Sequence, residues 1–297
     1  MQEPLKHEQL DDLYEHACAI ATEAALAAWR AIAPLYGAEY AIEHKADGPA
    51  TDADRLADRV ILEHLRAHFP PDTYGYLTEE SVDDASRLAR GRVWIIDPID
   101  GTRDFIRGTG HFAVQIGLVE RGEQGIFRPV VAVVLRPTAG LLCTAIAGRG
   151  AWRRAMDGTD VPQRLRVSTR DGIGRLRAVV SNADRTSRLA RFIHGLGLES
   201  YYNIGSLGVK VCLIASGEAE LYVVTGLGKV KEWDTCAPEL ILQEAGGRMT
   251  DLCGRPLYYN RPDPRMHAGL LASNGPAHGQ LSARVLAFLQ SEGVTVT

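Results

Sequence analysis

The stretch "WIIDPIDGTRDF", residues 94–105, places two aspartates at the end of a short apolar run. Asp97 and Asp100 stand three positions apart, and Gly101 and Thr102 follow at once. Two carboxylates at the end of a buried strand repel each other, and this repulsion is unfavourable in a protein interior unless a cation lies between them. Hard divalent cations such as Mg²⁺ prefer carboxylate and carbonyl oxygens. The stretch therefore predicts a metal site at a strand end.

The turn around the two aspartates predicts an anion site beside the metal. Pro98 fixes the backbone between the acids, so the carbonyl of Ile99 could also face a metal. Gly101 lets the backbone approach a ligand closely, and Thr102 opens a predicted helix whose free N–H groups could bind phosphate. Metal ligands next to an anion-binding turn indicate metal-assisted transfer of a phosphoryl group to water.

A competing motif, the D-x-D-G-T of the haloacid dehalogenase phosphatases, does not fit this stretch. In that motif the nucleophilic aspartate precedes the second aspartate by two residues, and here that position is occupied by Pro98. An aspartyl-phosphate mechanism is therefore disfavoured.

The composition excludes several other classes of protein. The chain has 297 residues and a formal net charge of −4, which supplies no basic field for a nucleic-acid polymer. Its five cysteines form no C-x-x-C pair and are odd in number, which argues against a disulfide framework and a zinc site. The polar N-terminus has no signal-peptide pattern, and no run of about 18 apolar residues occurs. We expect a cytoplasmic protein with no membrane partner.

The hydrophobic periodicity predicts an α/β chain in two parts. Two long helices are expected before the first strand, one ending near Gly37 and one capped by Thr51. Residues 74–147 favour a mostly antiparallel sheet, and the second half alternates strands with helices. A polar stretch near 155–170 predicts the boundary between an N-terminal α+β subdomain, 1–160, and a C-terminal α/β subdomain, 161–297.

Three more acidic stretches lie at element boundaries, and each has a simpler interpretation. "TDAD", residues 51–54, is also typical of a helix N-cap with acids in the first turn. "EES", residues 79–81, could be a solvated loop, and "EWD", residues 232–234, could be an ordinary helix start. Both interpretations of each stretch stay open on the residues alone.

Taken in order, these motifs resemble the inositol monophosphatase family of Mg²⁺-dependent, lithium-sensitive phosphomonoesterases. "DPIDGT" followed about 130 residues later by "WDTCAPE" is the most specific part, and "LTEES", "GRGAW" and "GLLASN" stand in the family's order. The resemblance implies a layered αβαβα sandwich of the sugar-phosphatase type. It also implies two to three Mg²⁺ ions, a small phosphorylated substrate and a homodimer.

The resemblance further implies a role for each matching position. Glu79, Asp97 and the Ile99 carbonyl would hold one Mg²⁺, and Asp97, Asp100 and Asp234 a second, with a third ion held through waters near Glu79. Asp54 and Thr102 would orient the attacking water, with Glu79 as a further catalytic residue. The implied substrate-binding residues are Gly101, Thr102, Asp100, Ser206, Lys210 and Asp234.

The substrate is indicated less clearly than the chemistry. "EWDTCAPE" and "SLGVKVCLIASGEAELYV" look most like the 3'(2'),5'-bisphosphate nucleotidase branch, which places Lys210 near a second phosphate. Yet "SNADR", residues 181–185, stands where that branch often shows Ser-Arg-Ser-His, so the expected histidine is missing. Lys210 is also open to interpretation as a surface charge. The alternatives are an inositol-1-monophosphatase, a fructose-1,6-bisphosphatase, and a non-catalytic metal or nucleotide sensor that keeps the fold.

Overall fold

A computed structural model describes residues 7–38, 42–45, 48–181, 188–198 and 200–296. Its two larger sheets alternate with three layers of helices. The helices are α1 (His7–Ile32), α2 (Asp52–His68), α3 (Thr102–Ile106), α4 (Arg188–Gly195), α5 (Leu207–Ala215), α6 (Glu232–Glu244) and α7 (His278–Ser291).

The N-terminal segment differs from the prediction in one respect. A short hairpin of β1 (Ile42–Lys45) and β2 (Gly48–Thr51) lies between α1 and α2, so the expectation that both long helices precede the first strand is wrong. The hairpin is too short to show a clear period of two in the sequence. The cap of α2 is confirmed, because the Thr51 hydroxyl accepts a hydrogen bond from the N–H of Ala53 at 3.2 Å and Asp54 accepts one from the N–H of Thr51 at 2.7 Å.

The first large sheet has seven strands in chain order. They are β3 (Tyr74–Thr78), β4 (Arg92–Asp100), β5 (Ala113–Arg121), β6 (Phe127–Arg136), β7 (Leu141–Ile146), β8 (Ala151–Ala155) and β9 (Gln163–Arg164). β3 and β4 run parallel, and every later pair of neighbours is antiparallel. The prediction of a mostly antiparallel sheet is confirmed.

The second large sheet has five strands in the order β11-β10-β12-β16-β14. Its strands are β10 (Arg177–Val180), β11 (Ser200–Asn203), β12 (Leu221–Val224), β14 (Arg248–Thr250) and β16 (Leu270–Ser273). β10 pairs in parallel with both β11 and β12, and the remaining pairs are antiparallel. Two further strands form an antiparallel pair: β13 (Val230–Lys231) precedes α6 in the chain, and β15 (Arg265–Met266) follows it.

Three apolar clusters hold the layers together. The first packs α1 and α2 on one face of the seven-stranded sheet, the second packs α5 and α6 between the two sheets, and the third packs α4 and α7 on the outer face of the five-stranded sheet. Burial of these side chains is the main stabilising contribution, at about 25 cal/mol per Å² of apolar surface. The layer order is αβαβα, which confirms the predicted fold class.

Helix α1 belongs to the core. A 28-residue segment, Glu8–Leu35, is long and apolar enough to cross a membrane by composition alone. However, its alanines at positions 17, 21, 24 and 28 are fully buried in the first cluster. That packing is typical of the core helix of a globular domain.

Helix α6 joins the two parts of the chain. Gly117 of β5 lies so close to α6 that an added Cβ would stand 2.5 Å from the Sγ of Cys236, which explains the glycine there. Cys236 is fully buried, as expected for a small interior residue. Both α6, which packs on the first sheet, and β9, which extends that sheet to Arg164, cross the predicted boundary near residue 160. The division into two subdomains therefore stays a prediction.

Candidate active site

The end of β4 brings the first two acids into the site. Asp97 pairs with Gln115 of β5, Asp100 pairs with Ala113, and the register is irregular between them. Such irregularities re-aim side chains at the end of a strand. The N–H of Ile99 donates to Oδ1 of Asp97 at 3.1 Å, which holds the turn between the acids.

A third carboxylate comes from the first turn of α6. Asp97, Asp100 and Asp234 each offer a carboxylate oxygen, and these three atoms lie within 4.8 Å of one another. Oδ2 of Asp234 accepts a hydrogen bond of 2.5 Å from the N–H of Lys231. Acids three apart in one strand and a third one from a distant helix thus meet at one point.

Asp100 is held by the start of α5. Its carboxylate accepts hydrogen bonds from the Ser206 hydroxyl, from the N–H of Leu207 at 3.2 Å and from the N–H of Gly208 at 2.6 Å. Ser206 also caps the helix, since its oxygen accepts a bond of 3.0 Å from the N–H of Val209. This helix start therefore fixes the position of an acid on the opposite sheet.

Burial and mutual repulsion make the group of acids unfavourable as anions. Burial raises the pKa of Asp97 well above its usual range, and the charges of Glu79, Asp100 and Asp234 raise it further. Burial also raises the pKa of Asp100, although its hydrogen bonds and Lys210 oppose that shift. A bound cation would remove this repulsion.

Two of the acids have raised pKa values near neutrality. Burial, followed by the charge of Asp100, raises the pKa of Asp234 to about 7. The pKa of Glu79 is raised to about 8, first by removal of its carboxylate from water and then by the charge of Asp234. The Glu79 residue as a whole is exposed even though its carboxylate is partly removed from water, so it stands at the edge of the group. Its oxygens are not among the three that cluster within 4.8 Å.

A second polar pair lies beside the metal-ligand candidates. The Thr102 hydroxyl donates to Oδ1 of Asp54 at 2.9 Å and approaches the Ile99 carbonyl at 3.2 Å. The Thr51 hydroxyl donates to the other oxygen of Asp54 at 2.6 Å. Asp54 therefore serves both the α2 cap and the site, so the two interpretations of "TDAD" are compatible. Gly101 connects these groups in a left-handed conformation, with φ of +100°, that favours glycine.

Comparison of the sequence with models of protein families identifies the family of this chain. The model described as the inositol monophosphatase family matches residues 9–291, nearly the whole chain. The chain belongs to this family. Its members are phosphomonoester hydrolases, and the fold described above is the fold of this family.

The chain is similar to relatives that carry different names within the family. The chain is 32% identical over 257 residues to the 3'(2'),5'-bisphosphate nucleotidase CysQ of Salmonella typhimurium, covering 86% of this chain and 98% of the relative. It is 36% identical over 220 residues to the 3'-phosphoadenosine 5'-phosphate phosphatase of Mycobacterium leprae, covering 71% and 73%. The Nus factor SuhB of Xylella fastidiosa is 32% identical over 211 residues, covering 69% and 70%.

A solved structure supports the same placement. CysQ from Bacteroides thetaiotaomicron superposes with a TM-score of 0.72 at 28% identity, over 88% of this chain and 97% of that chain. The fold is therefore shared along almost the full length of both proteins.

The donor set fits a hard divalent cation of the kind that this family uses. Three clustered carboxylates supply oxygen ligands and negative charge. The Ile99 carbonyl lies 3.2 Å from the Thr102 hydroxyl, and a carbonyl oxygen has two lone pairs with which to accept or to bind a cation. Glu79 adds a further carboxylate at the solvent side.

Two buried lysines lie near the acids, and one of them corrects an interpretation that the sequence left open. Lys210 is only 1% exposed, so its interpretation as a surface charge is wrong. Its ammonium donates to the Ile204 carbonyl at 3.2 Å and to that of Gly205, and lies 4.8 Å from the centre of the Tyr222 ring. Lys231 is also buried, and both lysines lower the pKa of Asp234.

Sequence reasoning missed Lys231 and Gln115. The signal for Lys231 was its place three residues before Asp234, at the start of a predicted helix. Residues 182–185, most of the stretch in which the sequence lacks the expected histidine, lie outside the described residues.

Proposed function

We propose that this chain is a Mg²⁺-dependent 3'(2'),5'-bisphosphate nucleotidase, which converts adenosine 3',5'-bisphosphate into AMP and phosphate. The observation that carries the chemistry is the group of Asp97, Asp100 and Asp234, whose oxygens lie within 4.8 Å and whose pKa values are all raised. The choice of substrate is supported by the names of the CysQ and 3'-phosphoadenosine 5'-phosphate phosphatase relatives.

Five residues would hold two to three Mg²⁺ ions. They are the four acids Glu79, Asp97, Asp100 and Asp234, and the carbonyl of Ile99. Bound Mg²⁺ would lower the pKa of a water molecule and stabilise the charge on the leaving oxygen. The protein's part is to place the acids, and the anchoring of Asp100 by the first turn of α5 does this.

The Asp54 and Thr102 pair is proposed to orient the attacking water. Asp54 accepts from the hydroxyl groups of both Thr51 and Thr102, so its orientation is fixed before substrate binds. The Thr102 oxygen retains acceptor capacity toward a water proton. A fixed acceptor lowers the cost of aligning water with phosphorus.

The substrate itself would be bound by the turn after β4 and by nearby polar groups. The amides of Gly101 and Thr102 would contact the phosphate that is removed. Asp100 and Asp234 would contact the substrate through the metal. Ser206 and Lys210 lie together at the start of α5, and Lys210 supplies positive charge beside Asp100 and Asp234. Direct contacts of Ser206 and Lys210 with substrate stay predictions.

The test is phosphate release from a panel of three substrates with Mg²⁺. Adenosine 3',5'-bisphosphate should be hydrolysed with the highest kcat/KM, and inositol 1-phosphate and fructose 1,6-bisphosphate more slowly. Added Li⁺ or Ca²⁺ should inhibit. A preference for inositol 1-phosphate or fructose 1,6-bisphosphate would contradict the proposed substrate and support the corresponding alternative phosphatase. No phosphate release from any of the three substrates would support a non-catalytic sensor.

Two further expectations concern the assembly and its location. The family resemblance predicts a homodimer, which light scattering on the purified protein would measure. The proposed location is cytoplasmic, and fractionation of cells tests it.

A further inference from the structure

Gln115 has a fully buried carboxamide with no partner among the described residues. The residue lies in the middle of β5 and has an exposed fraction of 0%. Neither Oε1 nor Nε2 makes a hydrogen bond in the described part of the chain. An amide taken out of water without partners is unfavourable, and such groups are rare in folded proteins. The position therefore calls for an explanation.

The side chain of Gln115 faces the metal-ligand candidates. Gln115 is the direct partner of Asp97 across the β4–β5 ladder, and directly opposite side chains have Cβ atoms about 4.5–5.5 Å apart. Alternation along β5 places Ala113, Gln115 and Gly117 on the face that packs against α5 and α6. The carboxamide and the Asp97 carboxylate are therefore neighbours on one face.

The other side of the carboxamide touches the helix that anchors Asp100. A Cβ added to Gly208 would lie 2.8 Å from Oε1 and 3.1 Å from Nε2 of Gln115. The N–H of Gly208 is already used, because it donates to Asp100. Gln115 thus lies between Asp97 and the first turn of α5.

Packing against apolar neighbours does not by itself account for an amide at this position. Ala113, Gly117 and Val134, the neighbours of Gln115 on this face and across the β5–β6 ladder, carry no polar side chain. A methionine has nearly the same shape and would fill this place without burying an amide. The polar group has to be explained by the acids beside it.

We propose that Gln115 is a positioning residue, whose carboxamide hydrogen-bonds through one buried water to the Asp97 carboxylate and holds it in the orientation that binds metal. Carboxylates that bind metals are commonly fixed by such outer hydrogen bonds, and buried waters typically join otherwise unpaired polar groups. This inference rests on the proposed function, because it requires that Asp97 be a metal ligand.

The test compares metal binding with stability in Gln115→Met. Binding of Mn²⁺ alone, measured by electron paramagnetic resonance without substrate, should weaken about tenfold, the lower end of the loss seen for such outer contacts. The urea midpoint of the metal-free protein should stay equal or rise, because a buried amide has been replaced by an apolar side chain of nearly the same shape. At saturating metal, the KM for substrate should not change.

Two control variants accompany it. Ile116→Met changes the opposite, buried face of the same strand and should leave Mn²⁺ affinity at the wild-type value. Gln115→Asn keeps an amide and should recover part of the lost affinity.

The outcomes separate this inference from the proposed function. Wild-type Mn²⁺ affinity in Gln115→Met, or a protein that is strongly destabilised or unfolded, would show that Gln115 is merely structural. If Asp97→Asn also retained wild-type Mn²⁺ affinity, the metal site itself would be wrong. Loss of affinity in Asp97→Asn with none in Gln115→Met would overturn the inference and leave the proposed function standing.

Discussion

The N–H of Gly208 donates a hydrogen bond of 2.6 Å to Oδ2 of Asp100. Asp100 ends a strand of the first sheet, whereas Gly208 lies in a helix that follows the first strands of the second sheet. The bond therefore ties the two parts of the chain together at the site. A substitution at this contact should therefore alter both the free energy of unfolding and metal binding.

Ser206→Ala tests this contact. The substitution removes both the cap of α5 and a hydroxyl that donates to Asp100. We expect a loss of about 1–2 kcal/mol in the free energy of unfolding and weaker Mg²⁺ binding. Urea titration and the Mg²⁺ concentration for half-maximal activity measure the two effects. Ser216→Ala, at the other end of α5, should change neither by a comparable amount.

Asp97→Asn and Asp234→Asn test the metal assignment. Each variant removes a proposed ligand while relieving repulsion among the buried acids. Phosphate release should fall to background, and the urea midpoint of the metal-free protein should not decrease. Asp12→Asn, an exposed acid on α1, is the matched control and should keep full activity. Full activity in Asp97→Asn or Asp234→Asn would contradict the assignment of these residues as metal ligands.

The metal-free protein should lose stability as pH rises. The pKa values of Asp234 and Glu79 are raised to about 7 and about 8, so the folded state binds more protons than the unfolded state above their ordinary values near 4. Stability present at low pH is therefore lost as pH rises through 7 to 8. Mg²⁺ should raise the Tm more at pH 8 than at pH 6, because it replaces those protons. An equal rise at both pH values would contradict this.

His278 should produce the opposite trend at lower pH. It is buried between the Thr250 hydroxyl, at 2.9 Å from Nε2, and the Ser273 hydroxyl, at 2.8 Å from Nδ1. Burial, and then the charge of Arg248, lower its pKa to about 4. Between about pH 6.5 and 4, His278 is therefore protonated in the unfolded state but neutral in the folded state. The neutral His278 contributes about 3 kcal/mol to stability above this range, and that contribution is lost as pH falls through it.

The difference between wild type and His278→Gln isolates this effect. The glutamine removes the titrating ring while leaving the acids of the site unchanged. Plotted against pH, the difference in the free energy of unfolding should change between pH 6.5 and 4 and be flat above 7. A difference that is flat throughout would mean that His278 titrates normally.

Local patterns in the sequence were sufficient for a large part of this description. The Thr51 cap, the Asp97 and Asp100 strand end, the antiparallel first sheet and the buried Cys236 are set by neighbouring residues or by the period of hydrophobic positions. These features depend on interactions within a few residues, so the chain reveals them without its partners. The family resemblance added Glu79 and Asp234, which no local pattern joins to the strand end.

Only the tertiary structure decided how the distant segments meet. It showed that Lys210 is buried rather than exposed, that Asp100 is anchored by α5, and that the unpaired amide of Gln115 stands opposite Asp97. A charge on an apolar helix or an amide in a strand has no fixed meaning until the facing surface is known. Burial and pairing are properties of two surfaces in contact, and the linear sequence of 297 residues displays only one of them at a time.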